Sequence, residues 1–148
     1  LSDLYLMYAE ASNETKAAPD ADVYEYIQKV RDRAGLDVGG DLVSTWQMHS
    51  ANPSKPSTKD GMRAIIHQER MIELALEGHR YWDLRRWKLA GEYFSKPIRG
   101  WDIFKPDVAG FYEVENIFYR NYLTKDYLWP ISQTELLRNP NLIQNPGW

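Results

Sequence analysis

Apolar residues recur at helical spacing near the start of the chain. In residues 3–13 they share one face at intervals of three or four, at Leu4, Met7, Tyr8 and Ala11. In residues 20–34 a second stripe consists of Val23, Tyr26, Ile27, Val30 and Ala34. Asp20 or Asp22 can cap the second helix, and Gly35 can end it. Two helices within about 34 residues match one tetratricopeptide unit, so the pattern predicts a helical hairpin.

A third stripe, in residues 58–77, carries carboxylates among its apolar positions. The run Ser57-Thr58-Lys59-Asp60 resembles a capping box and predicts where this helix begins. The apolar members of the stripe are Met62, Ile65, Ile66, Ile72 and Leu76. Glu69 and Glu73 fall on the same face, and a buried carboxylate is costly unless it is paired.

Basic residues follow this helix at once, after a turn at Gly78. A second helix over residues 79–90 would bring them back toward the carboxylates. We therefore predict a mostly buried network of ion pairs, with Tyr81, Trp82 and Trp87 packed around it. Its members are Glu69, Glu73, Arg80, Asp83 and Arg86.

The remaining stretches are irregular. Residues 36–57 are polar and rich in Gly, Ser, Asn and Pro, which predicts a long loop. Residues 95–130 lack helical periodicity, and within them 111–115 and 117–120 are either short strands or extended loop. A capping box that starts at Ser132 predicts one short last helix. We expect the tail, residues 139–148, to dock through Leu142, Ile143 and Trp148.

Composition argues against several kinds of chemistry. The 148 residues include 18 basic and 21 acidic side chains, and a net charge of −3 gives no electrostatic case for nucleic acid binding. There is no Cys, hence no disulfide, thiol nucleophile or thiolate metal site. The three His lack ligand spacing, so neither a metal nor a cofactor is expected. Glu69 and Glu73 project from one helix face and cannot bracket a sugar as glycosidase carboxylates do, so no catalytic residue is predicted.

Aromatic residues are unusually frequent, with six Trp and ten Tyr. Such rings stack on sugars and anchor interfaces, but they also fill cores. We expect most of them to serve the core of so small a domain. Trp46, in the predicted loop, and Trp101, in the irregular region, are the candidates for a ligand-contact surface. For each, the alternative is packing against the helices.

The run from Glu69 to Trp87, ERMIELALEGHRYWDLRRW, resembles the signature of the SusD/RagB family. The resemblance continues at YLWPISQTEL, residues 127–136, and at NPNLIQNPGW, residues 139–148. YAEA at residues 8–11 and VRDRAGL at residues 30–36 also fit, in family order. The resemblance implies a mainly α fold built from tetratricopeptide-like hairpins, with long loops and a little extended structure. It also implies that residues 1–148 form a single domain, the C-terminal portion of such a protein.

The family consists of cell-surface nutrient-binding lipoproteins of Gram-negative bacteria. The resemblance therefore implies an outer-membrane component that binds a glycan or another nutrient, without catalysis, beside a TonB-dependent transporter of the SusC type. Any membrane attachment would be through a lipid anchor outside this segment. Much of the family's ligand platform lies upstream, so no ligand residue is carried over. The alternative is a helical-repeat module that binds only protein, and a glycoside hydrolase is a third, disfavoured hypothesis.

Overall fold

The computed structural model describes residues 1–36 and 39–148. Within them are eight α-helices, two short 3-10 helices and one two-stranded sheet. The helices are α1 (Ser2–Thr15), α2 (Ala21–Arg33), α3 (Leu42–His49), α4 (Lys59–Glu73), α5 (His79–Arg86), α6 (Ala90–Phe94), α7 (Val108–Phe111) and α8 (Gln133–Arg138). The strands are β1 (Ile98–Trp101) and β2 (Val114–Phe118). The predicted fold class, mainly α with tetratricopeptide-like hairpins and little extended structure, is confirmed.

The predicted helical hairpin is the pair α1 and α2, which pack against each other. The predicted face of α1 was wrong, because Leu4, Met7, Tyr8 and Ala11 are exposed and α1 buries Leu6 and Ala9 instead. The Asp20 carboxylate accepts a hydrogen bond from the Val23 amide and so caps α2, as one of the two predicted alternatives. After α2, Gly35 adopts a φ of +74°, a conformation that glycine reaches without steric cost. Both ends of α2 are thus specified by local chemistry.

Helix α4 begins as predicted but is shorter than its sequence pattern. Thr58, rather than Ser57, is the N-cap, and its hydroxyl accepts from the Gly61 amide. The helix ends at Glu73, and Leu76 and Gly78 then adopt φ values of +67° and +80°. The predicted turn at Gly78 is therefore present. The predicted continuation of the stripe to Ile72 and Leu76 is wrong: Ile72 is exposed, and the left-handed backbone at Leu76 turns that side chain out into solvent.

The predicted long loop at residues 36–57 contains a helix. Asp41 and Ser44 form a reciprocal capping box that starts α3, and Leu42 is buried in the core. A 3-10 helix, Lys55–Ser57, then leads to α4. The loop prediction was wrong here because a short helix needs only a cap and one anchored apolar residue, which leaves little periodicity to read. Residues 37 and 38 of the predicted loop lie outside the described residues.

The described residues separate into two compact units, Leu1–Arg80 and Tyr81–Trp148. In the first unit, α1 packs against both α2 and α4, and α3 contacts α2. The buried cluster at their centre consists of Leu6, Ala9, Val23, Ile27, Val30, Leu42, Met62, Ile65 and Ile66. The single-domain organisation of residues 1–148 stays a prediction.

Aromatic side chains do not form that core. None of the Trp, Tyr and Phe residues in the described part of the chain is fully buried. Instead, rings such as Tyr5, Tyr24, Tyr26 and Trp46 are packed partly buried around the aliphatic cluster. The expectation that most aromatics fill the core was wrong, because small and branched aliphatic side chains already close the spacing between α1, α2 and α4.

The second unit is built around short segments. Strands β1 and β2 pair antiparallel, with Trp101 opposite Val114 and an irregularity after Ile98. Helix α5 ends at Arg86, short of the predicted residue 90, and Lys88 follows with a φ of +60°. Strand β2 straddles the two stretches that were read as strands or loop, whereas β1 was not predicted.

The last predicted helix is α8, but Ser132 makes no capping hydrogen bond with its side chain. The tail that follows is held mainly by polar groups. The indole Nε1 of Trp148 donates to the main-chain oxygens of Lys125 and Leu128, each at 3.1 Å. Gln144 exchanges two hydrogen bonds with the main chain of Ile131. Leu142, Ile143 and Trp148 are all exposed, so the expected apolar anchoring of the tail was wrong.

Candidate functional site

The carboxylates of α4 are bound by arginines of the helical hairpin. Glu69 is buried, and its Oε1 lies 2.5 Å from Nη1 of Arg31 on α2. Both side chains are about 10% exposed, so this ion pair lies inside the first unit. Arg70, the next residue of α4, is also buried and bonds the Asp3 carboxylate at 3.0 Å. These two pairs connect α4 to α2 and to α1.

Glu73 lies one turn further along α4 and is half-buried. It forms an ion pair with Arg33, whose side chain is 63% exposed. A hydrogen bond from the Ser2 hydroxyl, with the nearby Arg33 guanidinium, holds the pKa of Glu73 below its ordinary value, against burial, which raises it. The interaction is therefore stronger with the ionised carboxylate than with the protonated one.

The remaining members of the predicted network lie along α5. Asp83 is buried and accepts a hydrogen bond from Nε of Arg86 at 2.9 Å, whereas Arg86 itself is exposed. Arg80 is half-buried and has an interaction partner. Asp83 and Arg86 are thus brought together, and Glu69 and Glu73 are each paired to α2. One network that joins all five residues stays a prediction.

Sequence reasoning missed Arg31 and Arg70. Each carries a signal that was available: Arg31 follows Ile27 by four residues, and Arg70 follows Ile66 by four. Both arginines therefore lie on the buried stripe of their helix, where a charge requires a partner. The helical period predicts that they are buried, although it does not identify the acids that they meet.

Trp46 is held in place by the core and lines an open groove. It is partly buried against the aliphatic cluster, which confirms the alternative of packing against the helices. The groove has a volume of about 320 Å³, and its lining also includes Arg31, Thr45, His49 and Ser50. The Nζ of Lys55 lies 4.9 Å from the centre of the indole ring.

Trp101 belongs to an exposed aromatic cluster in the second unit. It is 55% exposed, at the end of β1. Its ring centre lies 5.9 Å from that of Phe111 and 5.2 Å from that of Tyr112. Lys105 forms ion pairs with Asp102 and Glu113 in the same segment. An aromatic surface flanked by hydrogen-bonding groups has the chemistry to contact a sugar ring.

Two further grooves in the second unit share Tyr81 and Asp126 in their linings. The larger, of about 490 Å³, also includes Phe94, Phe118, Tyr119, Arg120, Asn121 and Tyr122. The smaller, of about 260 Å³, includes Trp129 and Trp148. Arg85 holds this region together, since its guanidinium donates to the main-chain oxygens of Asp126 and Tyr127, each at 2.5 Å. The sequence singled out Tyr81 and Trp148 only for packing and docking, and it did not predict these grooves.

The described residues contain neither a metal-site cluster nor a membrane-spanning helix. In residues 1–36 and 39–148, no cluster of three or more His, Cys, Asp or Glu side chains has the arrangement of a metal site. Across those same ranges, no helix combines the length and apolar character that crossing a membrane requires.

The sequence and fold match one family throughout. The model of the SusD family covers residues 1–148, and the chain belongs to that family. The resemblance to SusD/RagB proteins seen in the sequence is therefore confirmed.

Individual relatives agree with this assignment. The chain is 35% identical to SusD-like protein P2 of Formosa agariphila over 148 residues, which are 99% of this chain and 25% of that protein. It is 39% identical to SusD-like protein P25 of the same organism over 59% of the chain and 14% of that protein. The crystal structure of a SusD-like protein from Bacteroides fragilis matches with a TM-score of 0.73 at 29% identity, over 99% of this chain and 25% of that one. The chain thus spans about a quarter of the length of P2.

Proposed function

We propose that this chain is part of a glycan- or nutrient-binding protein of the outer-membrane surface, which serves a TonB-dependent transporter of the SusC type and has no catalytic activity. The observation that carries the proposal is membership of the SusD family over residues 1–148. A lipid anchor outside this segment would attach the protein to the membrane.

The distribution of aromatic side chains supports binding of a sugar. Every Trp, Tyr and Phe of the described residues retains some exposure, and several lie beside hydrogen-bonding groups. Trp46 lines a groove with Thr45 and Ser50, and Trp101 lies beside Asp102. Aromatic faces pack against the apolar faces of sugars, while side-chain hydroxyls, amides and carboxylates bind their hydroxyl groups.

The state of the carboxylates supports a role without catalysis. Hydrolysis of a glycosidic bond requires two carboxyl groups on opposite sides of the bond, about 5–9.5 Å apart. Glu69 and Glu73 lie on one helix, and each is bound by an arginine of α2. Asp83 is buried and bonds Arg86. These carboxylates have structural partners and do not face each other across a groove.

Binding and turnover of glycans test the proposal. The purified protein should bind at least one polysaccharide in a panel of neutral and acidic glycans, measured by affinity electrophoresis and isothermal titration calorimetry. The same glycans should show no new reducing ends after long incubation. Release of reducing ends would contradict the non-catalytic role. Binding of protein partners with no glycan bound across the panel would instead favour the helical-repeat interaction module.

The transporter partnership has a separate test. The gene next to the one that encodes this protein should encode a TonB-dependent transporter, and the two products should purify together after co-expression. A neighbourhood without such a transporter, and a product that purifies alone when co-expressed with one from the same genome, would contradict this part of the proposal.

A further inference from the structure

The groove around Trp46 is built on the packed core of the first unit. Four of its lining residues, Thr45, Trp46, His49 and Ser50, come from the end of α3 and the residue that follows it. The buried Leu42 anchors α3 to the core, and Trp46 itself packs against that core. The position of the indole is therefore fixed before any ligand arrives, which lowers the entropic cost of binding.

Basic side chains lie in and beside this groove, although the chain carries −3 overall. Arg31 is in the lining, and its side chain is only about 10% exposed. The imidazole of His49 lines the same groove, and the Lys55 ammonium lies 4.9 Å from the centre of the Trp46 ring. No carboxylate is among the described residues that line it, and the nearby Glu69 is the ion-pair partner of Arg31.

Three other grooves of the described residues differ in this respect. A groove of about 350 Å³ elsewhere in the first unit includes Glu25 and Asp41 in its lining. Both grooves beside Tyr81 include Asp126. The groove around Trp46 thus combines an aromatic face, two hydroxyl groups and basic groups without an acidic lining residue.

We propose that the groove around Trp46 binds an anionic sugar unit, that is, a pyranose ring that carries a carboxylate or a sulfate ester. The apolar face of the pyranose packs on the indole of Trp46. The hydroxyl groups of Thr45 and Ser50 bond the hydroxyl groups of the sugar. The anion lies toward the Lys55 ammonium and the His49 imidazole beside the indole, where a charged group bonds an anion more strongly than a neutral one does. This inference rests on the proposed function, since it names the substrate class and the place of binding.

The test compares polymers that differ only in charge. Dextran sulfate is compared with dextran, and polygalacturonate with its highly methyl-esterified form, by affinity electrophoresis and calorimetry on the purified protein. The anionic member of at least one pair should bind more tightly than its neutral counterpart, and binding should weaken as the salt concentration rises. The two pairs distinguish a sulfate ester from a carboxylate.

Two substitutions at the rim of the groove test the location of the site without disturbing the core. His49→Ala and Lys55→Gln should each weaken binding of the anionic polymer about tenfold, because each removes one interaction with a charged ligand. Lys29→Gln is the matched control. Lys29 also lies over an aromatic ring, 4.4 Å from the centre of Tyr26, but it does not line the groove. Its exchange should leave affinity unchanged.

Each outcome decides the proposal. Loss of affinity in both groove variants but not in Lys29→Gln supports it. Equal binding of charged and neutral polymers, or equal affinity in all three variants, overturns it. If none of the four polymers binds but another glycan of the wider panel does, the anionic specificity is wrong and the proposed function stands. If no glycan of any kind binds, both proposals fail.

Discussion

Glu69 provides the sharpest test of how the first unit is held together. Its carboxylate lies 2.5 Å from the Arg31 guanidinium, and both side chains are about 10% exposed. The exchange Glu69→Ala leaves the guanidinium buried without this carboxylate. Loss of one partner of a buried pair costs about 3–5 kcal/mol of unfolding free energy. Single domains have only about 5–15 kcal/mol in total, so this loss is large.

Glu73 gives a matched control on the same helix. Its partner Arg33 is 63% exposed, so water solvates the guanidinium after Glu73→Ala. Glu73 itself is only 14% exposed, but one partner of this pair lies in water, so its loss should cost about 1 kcal/mol, less than the loss of the buried pair. A third variant replaces both members of the buried pair, Arg31→Met with Glu69→Leu. It should recover most of the loss, since no buried charge is left without a partner.

Urea unfolding followed by circular dichroism and tryptophan fluorescence measures these differences. The unfolding midpoint should fall strongly for Glu69→Ala and only slightly for Glu73→Ala, with similar slopes. The reasoning is refuted if the two single variants are equally stable. It is also refuted if the double variant is as unstable as Glu69→Ala, because the loss would then not come from a stranded arginine.

Three further predictions follow from other parts of the chain. Gly61→Ala should cost about 1–3 kcal/mol in urea unfolding, because a Cβ there would lie 2.0 Å from the main-chain oxygen of Lys55. Trp148→Ala should lower Tm in calorimetry and speed amide exchange in the tail, since the indole Nε1 bonds the main chain of Lys125 and Leu128; an unchanged Tm and freely exchanging tail amides in the intact protein would contradict this. Because the folded pKa of Glu73 is below the ordinary 4.5, its contribution is complete above pH 4.5 and is lost as pH falls through the folded value. Glu73→Gln should therefore show a smaller loss of stability on acidification, measured by urea midpoints, and an identical loss would refute the assignment.

Helix α2 shows what local sequence determines. Asp20 caps it, the stripe from Val23 to Val30 is buried, and the left-handed Gly35 follows it. These signals act within a few residues of each other, so the sequence contains them in full. Helix α3 lacks them except for the Asp41 cap, and its eight residues are too few to show a clear period. The formation of that helix depends on the packing of Leu42 and Trp46 against the core.

The residues of the candidate groove show the same difference between what local sequence indicates and what only tertiary packing brings together. Trp46 was identifiable because an isolated large aromatic residue in a polar stretch needs an explanation. Arg31 was not connected to it, because the two residues belong to different helices and meet only after those helices pack. His49 lay among polar residues without a distinguishing pattern.

The ion pairs show most clearly what the sequence alone does not determine. The sequence by itself determined that Glu69 lies on an apolar helical stripe, and therefore that it is buried and needs a cation. The partner expected from proximity was one of the basic residues just after Gly78. The tertiary structure selected Arg31, 38 residues away along the chain, because α2 packs beside α4 and presents that arginine at the depth of the carboxylate. Helical periodicity indicated the buried side of α4 at Glu69, whereas the identity of the neighbour depends on how separate helices pack.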